Sequence, residues 1–269
     1  MNSMILTSRY LFNEIPDGHK KVEEFGRKAC NLSLAKKWQF YVPDTVFLSG
    51  ELVREIYEQK SIPTEILSHF ENKLLAIRPS PVLGHFTKSE QFLHIGLDNQ
   101  SFDVLIKRVG VTNASAIYIS FLRVFALTIY NLDLESCDEL RRLLEISKSE
   151  KRVSRESVFN KISRIKQLIS LETGSVFPRS TAEQLIAVIN SIYKSWISPT
   201  QKILRDVSGR KSEELIPIIL QEMHSGITGS PVEYFKVKNF DDKTGRSSLK
   251  CYRLDNKSNH SSYMLINAK

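Results

Sequence analysis

Leu74-Leu75-Ala76-Ile77-Arg78-Pro79-Ser80 decides the fold, and after a loop it is followed by Leu93-His94-Ile95-Gly96-Leu97-Asp98. The apolar run predicts a strand over 73–78, and the loose alternation over 90–97 predicts another. The first strand delivers Arg78 to the start of the loop between them. A guanidinium held there can make two parallel charge-assisted hydrogen bonds to phosphate oxygens. From these residues alone Arg78 is either a phosphate-binding arginine at the end of a strand or a solvated surface arginine, and the second is the commoner case.

The composition is that of a folded globular protein. The chain has 269 residues, of which 41% are hydrophobic and 25% charged, so it can bury a sizeable core. Its net charge of +8 permits nucleotides, nucleic acid or an anionic membrane surface as partners, and equally a merely solubilising basic surface. The three cysteines, Cys30, Cys137 and Cys251, are far apart in the sequence, which predicts neither a zinc site nor a disulfide framework.

The N-terminal residues lack the basic and apolar regions of a secretory signal. No apolar run approaches the roughly 20 residues that a membrane-spanning helix needs, so we expect no membrane span. We expect a cytoplasmic protein. Delivery as a secreted effector by a signal-less route stays open.

Periodicity and turn residues predict a mixed α+β organisation. Ser49 predicts the cap of a helix over 50–59, and Pro199 predicts a break in the helical run over 181–206. Further helices are expected over 25–38, 114–131, 137–147 and 154–171. Residues 42–49 predict a turn into a short strand, and further strands are expected over 215–223, 232–237, 249–254 and 263–267.

We interpret this order as two β-containing lobes with a helical insert between them. The predicted divisions are an N-terminal α/β lobe over 1–110, a helical insert over 111–210 and a C-terminal β lobe over 211–269.

Five partial motifs occur in the order that one known family has them. The stretches are Gly26-Arg27-Lys28-Ala29-Cys30-Asn31-Leu32, the Arg78 strand, Leu220-Gln221-Glu222-Met223, Val232-Glu233-Tyr234-Phe235-Lys236 and Tyr263-Met264-Leu265-Ile266-Asn267-Ala268. Ser195-Trp196-Ile197-Ser198-Pro199 also has a counterpart there. Over about residues 14–269 the chain resembles the N-terminal nucleotide-binding domain of the pyruvate phosphate dikinase and phosphoenolpyruvate synthase family.

The resemblance implies an ATP-grasp-like fold and ATP as the cofactor. It places Lys28 near the nucleotide phosphates and gives Arg78 the catalytic contact with the transferred phosphate. Gln221 and Met223 would form the wall of the adenine slot. Lys236 stands where the family has arginine, so it would bind phosphate without the bidentate fork.

The same resemblance implies Mg²⁺, which needs carboxylates beside the phosphates. The family's metal-binding acid falls on Tyr263, so the metal ligands stay open, with Glu222, Asp241 and Asp242 as substitutes. The chain ends at Lys269, before the rest of the family's metal-binding segment. It has no counterpart of the family's phospho-histidine and barrel domains, so we expect no complete dikinase cycle from it alone.

Three functions are compatible with these residues. The first is an ATP-binding phosphotransferase module of the dikinase type, with weakened or lost canonical catalysis. The second is a pseudoenzyme that keeps the fold to bind or regulate a partner protein. The third is a basic nucleic-acid binder, which ranks last because no aromatic stacking set accompanies its cations. Those cations are Lys148, Lys151, Arg152, Arg155, Lys161, Arg164 and Lys166.

Overall fold

The computed structural model describes residues 9–15, 20–37, 40–82, 92–145 and 154–223, together with the backbone of three strands between 232 and 267. The chain divides into two compact units, Met1–Met223 and His224–Lys269. The prediction of a mixed α+β protein is confirmed. The division into three segments stays a prediction.

The first unit contains these strands and helices. The strands are β1 (Tyr10–Phe12), β2 (Thr45–Leu48), β3 (Leu75–Pro79), β4 (Phe92–Ile95) and β5 (Ile218–Glu222). The helices are α1 (Lys20–Lys37), α2 (Gly50–Gln59), α3 (Thr64–His69), α4 (Asn99–Val109), α5 (Val111–Val124), α6 (Asp138–Leu144), α7 (Arg155–Thr173), α8 (Thr181–Trp196) and α9 (Pro199–Val207). Helix α5 continues as a π-helical turn over Phe125–Ile129.

Strand β5 lies at the centre of a five-stranded antiparallel sheet with the order β1-β2-β5-β3-β4. On one side Phe47 of β2 lies opposite Ile219, and on the other side Arg78 of β3 lies opposite the same residue. Residues directly opposite one another in a ladder share a face of the sheet. Phe47, Ile219 and Arg78 are therefore on one face.

The two faces of this sheet are covered differently. Ile77 and Leu220 face a large core that the helices from α2 to α8 complete. The other face has a small cluster in which Phe25 and Ala29 of α1 pack on Phe47 and Ile219. Helix α1 thus covers the face on which Arg78 lies.

Side-chain caps fix where several helices begin. The hydroxyl of Ser49 accepts a hydrogen bond from the backbone N–H of Leu52, as the sequence predicts. Asp98 and Ser180 begin α4 and α8 with capping boxes. Ser198 caps α9, and Pro199 occupies its first turn, so the predicted break at this proline is confirmed.

The segment Val111–Ile129 is 19 residues long with a mean hydropathy of 1.3. Among the described residues, this is the helix that has the length and composition to cross a membrane, so it meets the criterion that we expected no run to meet. Tyr118, Phe121 and Phe125 of this segment are buried in the core shared with the sheet. This packing is that of a core helix of a globular domain.

The second unit contains an antiparallel meander of β6 (Val232–Phe240), β7 (Ser247–Asp255) and β8 (Ser258–Asn267). Strand β7 is central, with Lys250 opposite Lys236 on one side and Tyr252 opposite Tyr263 on the other. The three strands that the sequence predicts here are confirmed, and all three are longer than predicted.

Candidate functional site

Helix α1 is bent at Gly26, which has φ 79° and ψ 165°. A Cβ atom at this position would lie 1.4 Å from the carbonyl oxygen of Ser80. Since no side chain fits in that space, only glycine allows α1 to approach the end of β3 this closely. The bend separates α1 into two helical segments, and the second begins at Arg27.

Ser80 holds the start of this second segment. Its side chain is fully buried, and its Oγ accepts a hydrogen bond from the backbone N–H of Ala29 at 3.1 Å. The first N–H groups of a helix have no partner within the helix, so Ser80 acts as a cap supplied from a distant part of the chain. Arg27 adds a second contact, because its Nε donates to the carbonyl oxygen of Val82 at 3.4 Å.

These contacts bring Lys28 and Arg78 together. Lys28 follows Arg27 in the new helical segment, and Arg78 precedes Ser80 by two residues. Desolvation lowers the pKa of Lys28, and the nearby positive charge of Arg78 lowers it further, although much of the Lys28 side chain is exposed. An anion between the two cations would relieve their repulsion. Lys28 and Arg78, for which the resemblance predicts phosphate contacts, thus lie near one another at the start of this helical segment.

Gln221 and Met223 lie along the same sheet from this point. Gln221 is opposite Ala76, two residues from Arg78, and its Nε2 donates to Thr45 Oγ1 at 3.1 Å. The N–H of Met223 donates to Leu74 O at 2.8 Å, and its Sδ accepts from the N–H of His94 at 3.1 Å. Met223 is therefore level with Leu74, about 13 Å along β3 from Arg78.

Several predicted residues lie outside the described side chains. Lys236 and Tyr263 are described only by their positions in the ladders of the second unit. Asp241, Asp242 and the loop over 83–91 lie outside the described residues. The prediction that Lys236 joins the other two cations therefore stays a prediction.

Glu222, a candidate metal ligand, is part of an ion-pair cluster at the opposite end of β3. Lys73 Nζ lies 3.2 Å from Glu222 Oε2 and 2.9 Å from Asp44 Oδ2. His69 Nε2 is also 2.9 Å from Asp44 Oδ2, and Asn13 Nδ2 donates to Asp44 Oδ1 at 2.7 Å. Lys73 and Arg78 are five residues, or about 16 Å, apart along the strand. Within the described part of the chain, no group of three His, Cys, Asp or Glu side chains has the arrangement of a metal site.

Sequence reasoning identifies Glu222 but not the other members of this ion-pair cluster. Asp44 precedes β2, and Lys73 precedes β3. Their proximity depends on β5 pairing with both strands, which no local pattern in the sequence indicates.

Three of the described cations of the predicted nucleic-acid surface contact partners within the protein. Of the seven, Arg155, Lys161, Arg164 and Lys166 have described side chains. Arg155 pairs with Asp103, and Arg164 pairs with Glu139. Lys166 donates to the hydroxyl of Tyr118 at 2.8 Å.

No protein-family model matches the chain, and neither does any curated protein. Its function is therefore inferred from the geometry of the site and from the residues that form it.

Proposed function

We propose that the chain is a nucleotide-binding protein with an ATP-grasp-like fold, related to the dikinase nucleotide-binding domains. Lys28 and Arg78 bind the phosphates of ATP at the start of the second segment of α1. The observation that carries this proposal is the contact of Gly26 with Ser80, since it places two separate sequence motifs side by side. The resemblance assigns a phosphate contact to each of those motifs.

The positions of the proposed binding residues along the sheet suit an elongated ligand. Gln221 and Met223, the proposed adenine wall, lie level with Ala76 and Leu74 on the neighbouring part of the chain. Their distance from Arg78 along the sheet therefore increases in that order. A nucleotide whose phosphates contact Arg78 would extend its base towards Met223. The positive net charge favours this anionic ligand through long-range attraction.

Isothermal titration with ATP, with and without Mg²⁺, tests the proposal. We expect saturable binding that is weakened about tenfold or more in Arg78→Ala and in Lys28→Met, because each variant removes a charged hydrogen-bond donor. Arg123→Ala on α5 and Lys107→Met on α4 are matched controls at exposed positions. Absence of binding at millimolar ATP, or equal binding in all four variants, contradicts the proposal.

A pseudoenzyme that binds ATP without turnover is the second candidate function. One observation favours it: Glu222 is engaged by Lys73 rather than directed to the Arg78 end of the sheet. Among the described residues, no group of three His, Cys, Asp or Glu side chains could hold a metal ion. ADP production above the uncatalysed rate that Arg78→Ala abolishes would contradict this candidate, whereas ATP binding without Mg²⁺ dependence and without turnover would support it.

A further inference from the structure

A cleft lies on the helical side of the first unit, away from the face that α1 covers. It is bounded by the start of α4, one side of α7 and the residues that lead into α8. The cleft is open to solvent and has a volume of about 780 Å³. The residues that determine its chemistry are Asp98, Lys166, Gln167, Phe177 and Arg179.

Lys166 is anchored at the base of this cleft. Its Nζ donates to the hydroxyl of Tyr118 at 2.8 Å and lies 5.6 Å from the centre of the Phe177 ring. Tyr118 is fully buried and Phe177 nearly so, so the ammonium group is held by rigid neighbours. An ammonium group has three N–H donors, and the bond to Tyr118 uses one of them.

The charges that line the cleft favour an anion. Lys166 and Arg179 are its cations, and Asp98 is the carboxylate among its lining residues. Asp98 is already committed to the cap of α4, where its Oδ1 accepts from the N–H and from the hydroxyl of Ser101, both at 2.8 Å. The lining residues therefore carry one net positive charge, and the carboxylate of Glu183, which accepts from the backbone N–H of Arg179 at 2.7 Å, is the further acidic group near Arg179.

The burial of Lys166 also favours an anionic ligand. Desolvation lowers the pKa of Lys166, Asp98 raises it, and Arg179 lowers it again. An anion placed between Lys166 and Arg179 would compensate both the desolvation and the repulsion. Tyr118, the other titratable group in contact with Lys166, has a raised pKa because it is buried and because Asp98 is near, so it stays neutral and donates or accepts as a phenol.

The apolar part of the lining restricts the ligand further. Phe177 presents an aromatic ring beside Lys166, and Val176 is 73% exposed next to it. A ligand that carries an apolar or aromatic group as well as a negative charge would cover this surface. A bare inorganic anion would leave it exposed.

We propose that this cleft binds a small organic anion, with its carboxylate or phosphate group between Lys166 and Arg179 and its apolar group on Phe177. The ligand class is thus an aromatic or aliphatic acid or phosphate monoester. The site is separate from the proposed ATP site, because its residues come from α4, α7 and the segment before α8.

Isothermal titration with three probes tests this proposal: phenyl phosphate, benzoate and inorganic phosphate. We expect phenyl phosphate or benzoate to bind saturably and more tightly than inorganic phosphate. The ratio of the dissociation constants of the two aromatic probes identifies which anionic group the site prefers. Lys166→Met keeps the aliphatic stem, and Arg179→Gln changes an exposed side chain. Each should weaken binding about tenfold, as loss of a hydrogen bond to a charged group does.

Two controls make the outcome decisive. Arg123→Ala, the exposed control on α5, should bind the aromatic probes as the unaltered protein does, which shows that loss of an unrelated surface cation does not weaken binding. The thermal midpoint of Arg179→Gln without ligand should equal that of the unaltered protein. A loss of binding in this variant would then not result from a loss of folding. Failure of both aromatic probes to bind at millimolar concentration would overturn the proposal, as would binding that neither Lys166→Met nor Arg179→Gln weakens.

Discussion

The hydroxyl of Ser80 accepts a hydrogen bond at 3.1 Å from the backbone N–H of Ala29, 51 residues away in the sequence. This contact joins the end of β3 to the second segment of α1. It also fixes the separation of Arg78 and Lys28, since each lies within two residues of a bonded partner. The proposed phosphate site therefore depends on a neutral side chain that need not touch phosphate.

Replacement of Ser80 by alanine should weaken both stability and ATP binding. The variant removes a helix cap at a buried position, which typically costs about 0.5–2 kcal/mol in the free energy of unfolding. Urea denaturation measures this loss, and titration with ATP measures the effect on the site. Ser120→Ala, at an exposed position of α5, is the control. A stability equal to that of the control would show that the bond contributes nothing.

Replacement of Gly26 by alanine should lower the free energy of unfolding by more than the cost of placing alanine at a positive φ. The new Cβ would meet the Ser80 carbonyl oxygen at 1.4 Å, so α1 must move away from β3. Gly110→Ala is a matched control, because Gly110 has nearly the same backbone angles (φ 81°, ψ 159°) but open space around its Cβ position. The control should cost about 1–3 kcal/mol, and Gly26→Ala should exceed it in urea denaturation. Equal losses would contradict the close approach of α1 to β3.

Asp44 should make the protein sensitive to acid. Desolvation opposes its charged form, but hydrogen bonds from Lys73, Asn13 and His69 outweigh this and lower the pKa of Asp44 to about 2, from an ordinary value of 3.8. Because the folded-state pKa is the lower one, the stabilisation is complete above the unfolded-state value and is lost as the pH falls from 3.8 towards 2. Denaturant titrations across this pH window measure the slope of the free energy of unfolding against pH, which should become shallower in Asp44→Asn. An unchanged slope would show that other carboxyl groups cause the acid sensitivity.

Gln184 should be essential to the turn between β4 and α4. Its buried carboxamide accepts from the N–H of Gly96 at 2.8 Å and donates to the carbonyl oxygen of Leu97 at 3.1 Å. Gln184→Met keeps the length of the side chain but leaves both backbone groups without these bonds, at about 1–3 kcal/mol for each buried group. The thermal midpoint should fall well below that of Gln59→Met, a control at an exposed position of α2. Equal midpoints would show that the turn does not need this clamp.

The sequence predicts those features that depend on neighbouring residues. Ser49 and Pro199 mark helix boundaries through their own backbone and side-chain chemistry, and both boundaries are confirmed. Helix α4 is missing from the predictions, although Asp98 and Ser101 form the capping box that signals it. Strand β1 is also missing, because three residues are too few for an alternating pattern.

The arrangement of the site depends on contacts between distant residues, which limits what the sequence can predict. Lys28 and Arg78 are identified as separate candidates, but their proximity follows from the bend at Gly26 and the burial of Ser80. The cleft around Lys166 is absent from the predictions for a similar reason. In the sequence Lys166 is one of several cations on a helix, and only the packing of Tyr118 and Phe177 distinguishes it from the others.

The central position of β5 has a consequence for biosynthesis. The ribosome releases β2 and β3 long before the residues that separate them in the finished sheet, so neither strand has this neighbour while most of the helices are being made. Contacts between such distant segments form slowly, and edges that await a partner favour aggregation. A nascent chain that stops short of Ile218 should therefore need protection by chaperones, and release of β5 from the ribosome should allow the sheet to close.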